Sequence, residues 1–274
     1  MILRVLLRTE LRTKSGALPL IGLLFITLLA VAGPIFAPAN PLLRVDTPYL
    51  DPSFQHWLGT DEVGRDLLSR ILYGIRLTWF PVLAVIALTS AIGTLVGAVA
   101  AAAGGLVELL LNRFCELMMV IPATLIALAA VASLGPGTWH LVAAISVFWW
   151  PWYARIAHTE IRRVATRAHV EAARLAGVGR PRLFLRYLLP AALPSLVVAA
   201  SLDVANVILV LAMFSFLGLG APAPAPELGA MTAQSLVSLT THGWIPLSPA
   251  IVIFILAFTA NLAGDGIRQR MEST

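Results

Sequence analysis

From Leu77 to Val107 the chain runs 31 residues without an Asp, Glu, Lys or Arg. A backbone shielded from water must satisfy its own hydrogen bonds, and an apolar run of this length does so as a helix across a bilayer. The pattern recurs. Ala17 to Phe36 carries no charge, and neither do the 38 residues between Glu116 and Arg155. Over 274 residues the chain is 59% hydrophobic and only 12% charged, where a soluble domain carries about 25% charged residues. So much apolar surface cannot be hidden in one water-soluble globule, and lipid is the expected solvent.

Charges and turn residues divide these runs into six spans, at about 17–36, 77–107, 113–133, 139–157, 190–219 and 246–263. Leu134-Gly-Pro-Gly137 breaks the longest run, and Pro122 is expected to kink the third span. Gly93 and Gly97 have the G-x-x-x-G spacing that lets two helices approach closely. The aromatic run Phe148 to Tyr153, just before Arg155, reads as an interfacial belt. Arg4, Arg8, Arg12 and Lys14 precede the first span, as in a secretory signal. About 20 apolar residues are enough to cross, however, so this stretch is read as a retained helix. The expected fold class is an all-α, polytopic membrane protein with six transmembrane helices.

Of the 19 basic residues 18 are arginine, and eight of them lie between Arg155 and Arg186 against only Glu160 and Glu171. This bias marks a cytoplasmic loop of a bacterial inner-membrane protein, with both termini cytoplasmic. The basic charge lies in the gaps between apolar blocks, which speaks against nucleic acid as a partner. Residues 220–244 contain no Lys or Arg and fall outside. So do residues 37–76, where a Pro-rich extended stretch precedes an amphipathic helix expected from Asp61 onward. Leu67, Leu68, Ile71, Leu72 and Ile75 would form its apolar side, with Asp61, Glu62, Arg65, Asp66, Arg70 and Arg76 on the remaining surface. The chain thus divides into an N-terminus and first helix (1–36), an extracytoplasmic segment (37–76), a five-helix core (77–264) containing a loop at 158–190, and a cytoplasmic tail (265–274).

Enzymatic motifs are absent. There is no phosphate-binding loop, so the chain is not expected to hydrolyse ATP, and no H-E-x-x-H or G-x-S-x-G. The five histidines are scattered and Cys115 is the sole cysteine, which excludes a metal cluster or a disulfide framework. No catalytic residue, cofactor or metal site is assigned. Asp203 is the singular residue of the fifth span, one turn before Asn206. A carboxylate there costs about 2.5–3.5 kcal/mol on insertion scales, so it must face a pore or a partner. Two readings stand open: Asp203 and Asn206 line a path and favour a cation, or Asp203 is a polar pin between helices. Met118, Met119, Met213 and Met231 read as packing.

The basic loop has its own design. Arg167 to Ala176 can form a short helix with Glu171 near its positive end. Ala172, Ala173 and Ala176 give it a slim face. Gly177 and Gly179 would end it by positive φ or close approach, and Pro181 suits the first turn of a following helix. A cytoplasmic loop so ordered is expected to dock on a partner; the other reading is a solvated basic loop held by anionic lipid.

Glu171-Ala172-Ala173, Gly177, Leu183-Phe184, Leu188-Leu189-Pro190 and Pro194 resemble the EAA loop of bacterial ABC-importer permeases. HWLGTDEVGRDLLSRILYGIR (56–76), FSFLGLG (214–220), P-x-P-E-x-G (224–229) and NLAGDGIR (261–268) resemble the second permease of the dipeptide, oligopeptide and nickel branch. The likeness covers about residues 50–270. It implies the type I importer permease fold, with Glu171, Ala172, Ala173, Gly177, Leu183, Phe184 and Pro190 coupling to an ATPase. It implies a second homologous permease, two ATP-binding subunits and an extracytoplasmic solute-binding protein as partners, the last docking on 38–76 and 220–245. The implied function is import of nickel, a metal chelate or short peptides through half of a shared pore. An ion-coupled secondary transporter is the alternative, which a single Asp and the lack of an internal repeat argue against. The chain departs from the family at Tyr187, Ala191, Leu228 and Arg270-Met271-Glu272.

Overall fold

Gly93 and Gly97 decide how the bundle closes. The computed structural model describes residues 17–272, so Arg4, Arg8, Arg12 and Lys14 lie outside the described residues. Helix α1 (Ala17–Ala32) leads through residues 33–66 into α2 (Leu67–Ala103). There follow α3 (Gly105–Val120), α4 (Ala123–Leu134), α5 (Thr138–Ala165) and the short α6 (Ala168–Leu175). Next come α7 (Arg180–Leu183), a π turn (Phe184–Leu188) and α8 (Leu189–Phe216), then α9 (Leu228–Gln234) and α10 (Trp244–Glu272). A Cβ built on Gly97 would lie 2.1 Å from the Ala154 carbonyl oxygen, and one on Gly93 2.3 Å from that of Trp150. The backbones of α2 and α5 therefore touch, and the G-x-x-x-G expectation holds as a real contact. Helix α8 packs on both, α10 on α8, and α1 on α2 and α10.

The six expected spans correspond in order to α1, α2, the α3–α4 pair, α5, α8 and α10. By length and composition three helices, Leu67–Ala103, Arg180–Phe216 and Trp244–Met271, can each cross a membrane, or four if the bent α3–α4 pair is one span; among the described residues α1 and α5 do not reach that length and hydropathy. That bend exceeds the expected kink. The two helices turn by 83°, and Pro122 stands outside α4 as its N-cap, with Ile121 extended before it. Proline disfavours helix in the residue it follows, and here that residue ends α3.

Two expectations need correction. The helix expected from Asp61 begins at Leu67 and runs unbroken to Ala103, so the amphipathic segment and the second span are one element. Its charges are not solvated either: Asp61, Arg65, Asp66 and Arg70 are all 6% exposed or less. They pair instead. Asp61 accepts from the backbone of Val63 and Arg65 and binds Arg65 Nε at 2.6 Å and Arg70 Nε at 3.2 Å. Asp66 caps α2 by accepting from Ser69 N and Oγ, and hydrogen-bonds His56 Nδ1 at 2.9 Å. Arg70 also donates to the carbonyls of Pro41 (3.0 Å) and Pro224 (3.3 Å), which ties residues 37–66 to the 217–243 connection. Both segments form a cap on one end of the bundle; α6 and the Gly104–Gly105 turn lie at the other. The aromatic run is split between the core and the surface, with Trp152 47% exposed. Tyr153 is fully buried, and Trp150 packs with Cys115.

Gly97→Ala should lower the melting temperature of the detergent-solubilised protein, by the equivalent of about 1–3 kcal/mol or more, because no far end of a side chain can yield. Gly179→Ala, at φ −62 with nothing within 4 Å, should leave it unchanged. Arg70→Ala removes one partner of a buried carboxylate and should destabilise the cap by roughly 3–5 kcal/mol, read as faster proteolysis within residues 37–66.

Candidate functional site

The basic loop folds as its sequence suggests, with one difference. Arg167 precedes α6 in extended conformation and Glu171 lies in its first turn, where the helix dipole favours an acid. Gly177 has φ +81, and the exit is a Schellman turn: Val178 N donates to Ala173 O (3.1 Å) and Gly177 N to Arg174 O (3.1 Å). Gly179 neither takes a positive φ nor makes a close approach. It is instead the extended N-cap of α7, with Pro181 behind it in the first turn.

One side of α6 is anchored. Val170 is fully buried among Ile161, Val164, Leu183 and Leu188, with Ala173, Val178 and Phe184 at the margin. Leu183 and Phe184 thus hold the loop to the bundle rather than present a surface. The other side is open: Glu171, Ala172, Arg174 and Ala176 are exposed, and Leu175 is 84% exposed. The charge and alanine pattern of the loop does not point to Leu175, because a single leucine carries no pattern. Pro190 is exposed at the start of α8. It lacks the N–H for an ordinary helical bond, and the preceding turn widens so that Leu189 N reaches Phe184 O five residues back. With that widened turn, Arg180 to Phe216 is one helical run.

Asp203 lies on α8, 6% exposed. Its Oδ2 accepts from Trp149 Nε1 (2.5 Å) and Tyr153 OH (3.0 Å) of α5, and its Oδ1 from Asn206 Nδ2 at 3.3 Å. The pin between helices is therefore present. So is a space beside it. A cavity of about 500 Å³ is walled by Phe148, Trp149, Trp152, Asp203, Asn206 and the α3–α4 bend at Met118 to Pro122. A second, of about 310 Å³, extends from Trp152, Asp203 and Asn206 to Arg268. Asn206 itself is exposed. Trp149 and Tyr153 were missed as site residues; the buried acid one span away was the signal that two donors had to be found for it.

Two further polar groups serve the frame. Glu108 of α3 accepts from Arg162 through both oxygens and sits 2.6 Å from His158 Nε2, bracing α3 to α5 at the α6 end. Glu227 caps α9 by accepting from Gly229 N and Ala230 N, and Thr78 Oγ1 reaches it at 3.4 Å. Burial pushes the Glu227 carboxyl above the usual carboxylate range. Among the described residues no three His, Cys, Asp or Glu side chains gather as metal ligands.

Residues 93–273 match a family model described as the binding-protein-dependent transport system inner membrane component. The dipeptide transport system permease protein of Haemophilus influenzae is 34% identical over 95% of this chain and 91% of its own length. The nickel transport system permease protein of Escherichia coli K12 is 34% identical over 94% of each. The probable D,D-dipeptide permease of the same strain is 35% identical over 89% and 83%. Among solved structures, the inward-facing MetNI methionine ABC transporter contains a chain that matches with a TM-score of 0.59 at 19% identity, covering 74% of this chain and 96% of that one; this likeness supports the fold. The chain is a multi-pass inner-membrane protein, and it belongs to the family of binding-protein-dependent transport system inner membrane components, on the peptide and nickel permease branch.

Proposed function

We propose that this chain forms half of the translocation pore of an ATP-driven importer and couples to its ATPase through α6. The pore would be shared with a second, homologous permease. Two ATP-binding subunits would seat on the α6 end, in the cytoplasm with both termini, and a solute-binding protein on the cap of residues 38–76 and 220–245. ATP hydrolysis would belong to the partners, since this chain has no phosphate loop. The cargo would be nickel, a metal chelate or short peptides, as the names of the relatives suggest.

The observation that carries this reading is the two-sidedness of α6. A helix of eight residues is too short to be stable alone. It is held by Val170 and the Schellman turn, while Glu171, Arg174 and Leu175 stand free of the bundle. A rigid, anchored helix that ends in an exposed leucine beside charges suits a cleft on another protein. Movement of α6 would pass through Val170, Leu183 and Leu188 to α8, and along α8 to Asp203. Closing of the ATPases would then switch the spans between inward-open and outward-open arrangements.

In the complete importer reconstituted with its partner subunits, Glu171→Lys and Leu175→Asp should each lower uptake and binding-protein-stimulated ATP hydrolysis roughly tenfold or more, as loss of an interface hot spot does. The variant chain should still be recovered from the membrane in normal amount. Wild-type uptake in both variants would refute the docking role.

A further inference from the structure

The first cavity at Asp203 has the chemistry of an ammonium site. Its wall carries one charged side chain, Asp203, and three aromatic rings from α5: Phe148, Trp149 and Trp152. Phe148 and Trp152 are four residues apart and so share a helix face. No cationic side chain forms an ion pair with Asp203 among the described residues, and its bonds come from neutral donors. Those donors stabilise the carboxylate without cancelling its charge. Oδ2 is taken by Trp149 and Tyr153, while Oδ1 meets only the long Asn206 contact and keeps acceptor capacity. Arg268 stands on the wall of the second cavity, not of the first.

A bare divalent transition-metal ion is poorly served there. It needs several nitrogen, oxygen or thiolate ligands to replace its water. The wall offers one carboxylate, one amide and the weak thioethers of Met118 and Met119. An organic ammonium needs less. Its three N–H groups can meet Asp203 Oδ1 and the Asn206 carbonyl, and ring faces attract the remaining charge. The indole N–H of Trp149 is spent on Asp203, which fixes that ring beside the carboxylate.

Resting on the reading of this cavity as part of the translocation path, we infer that Asp203, Asn206 and the Phe148, Trp149 and Trp152 rings bind the free amino terminus of a short peptide in transit, and not a bare metal ion. The cavity is wide enough for the end of a dipeptide, and the site is weak, as passage requires.

The complete importer in lipid nanodiscs, without its binding protein, tests this. Tryptophan fluorescence would be followed during titration with glycyl-leucinamide, N-acetylglycyl-leucinamide and nickel chloride. Glycyl-leucinamide should give a saturable change, and the acetylated compound, which has lost its ammonium, should bind about tenfold more weakly or worse. Asp203→Asn should abolish the response. Trp152→Leu, which removes a half-exposed ring that makes no hydrogen bond to Asp203, should weaken it, and answers the question should Asp203→Asn fail to fold. Equal binding of the acetylated compound, no saturable response to glycyl-leucinamide, or a saturable nickel response that Asp203→Asn removes would overturn the inference. The import reading falls separately, on the Glu171 and Leu175 variants.

Discussion

The touching backbones of α2 and α5 are the contact on which the rest of the bundle depends. In lipid the tails are as apolar as the side chains, so helices gain little by hiding leucine from solvent. Association must come from close packing and from polar groups that lack other partners. Gly93 and Gly97 remove the side chains that would keep α2 away, and the Trp150 and Ala154 carbonyls move into that space. This fixes the rotation of α5. With Trp150 and Ala154 turned to α2, Trp149 and Tyr153 face α8, where they meet Asp203. The same helix continues to Ile161 and Val164, the floor on which Val170 of α6 rests. One glycine pair thus sets the position of both the cavity and the exposed helix.

Each end of the bundle solves a different problem. At the cap, charge is buried but paired, and Arg70 alone reaches Asp61, Pro41 and Pro224. Removing water from four charged groups is costly. The full set of partners compensates for it and ties two long connections to the first turns of α2 in one arrangement. At the other end the charges of α6 stay in the open, and a buried valine supplies the anchoring. A cap that cannot rearrange cheaply, beside a short helix that offers an unspent surface, matches the proposed division between a docking face above and a moving contact below.

The legible part of this fold was whatever depends on the solvent. Uncharged runs located the long helices of the bundle, and Pro and Gly located most of their ends. The short helix at 168–175 and its glycine exit followed from local rules, since a Schellman turn involves only neighbouring residues. What was not legible depends on pairing over distance. Periodicity places Asp61, Arg65 and Arg70 together as readily on an exposed helix face as in a buried cluster, and nothing local distinguishes the two. The aromatic run had the composition of an interfacial belt, but a partner acid on α8 drew Tyr153 and Trp149 inward. Leu183 and Phe184 resemble part of a coupling motif by sequence, yet Leu183 is buried and Phe184 half-buried against the loop, because a sequence likeness does not record which way a residue faces. Glu108 could have been flagged: it ends the 31-residue uncharged run, and an acid so placed requires a partner.

Asp203 joins these two kinds of information. Its sequence posed a choice between a pin and a pore residue, as if one carboxylate could serve only one role. A carboxylate has two oxygens, and here they diverge. Oδ2 is fixed by two donors from α5, which holds α8 against that helix and makes a buried acid tolerable. Oδ1 is left with the long Asn206 contact beside the aromatic wall. A group held this firmly does not need to be ordered when a cation arrives, so little affinity is lost to reorganisation. Any rotation of α8 relative to α5 would strain the Trp149 and Tyr153 bonds and shift Oδ1 together. Under the proposed coupling, the pin is therefore what would let movement at α6 change the cavity, and removing it would cost the site both its shape and its link to the loop.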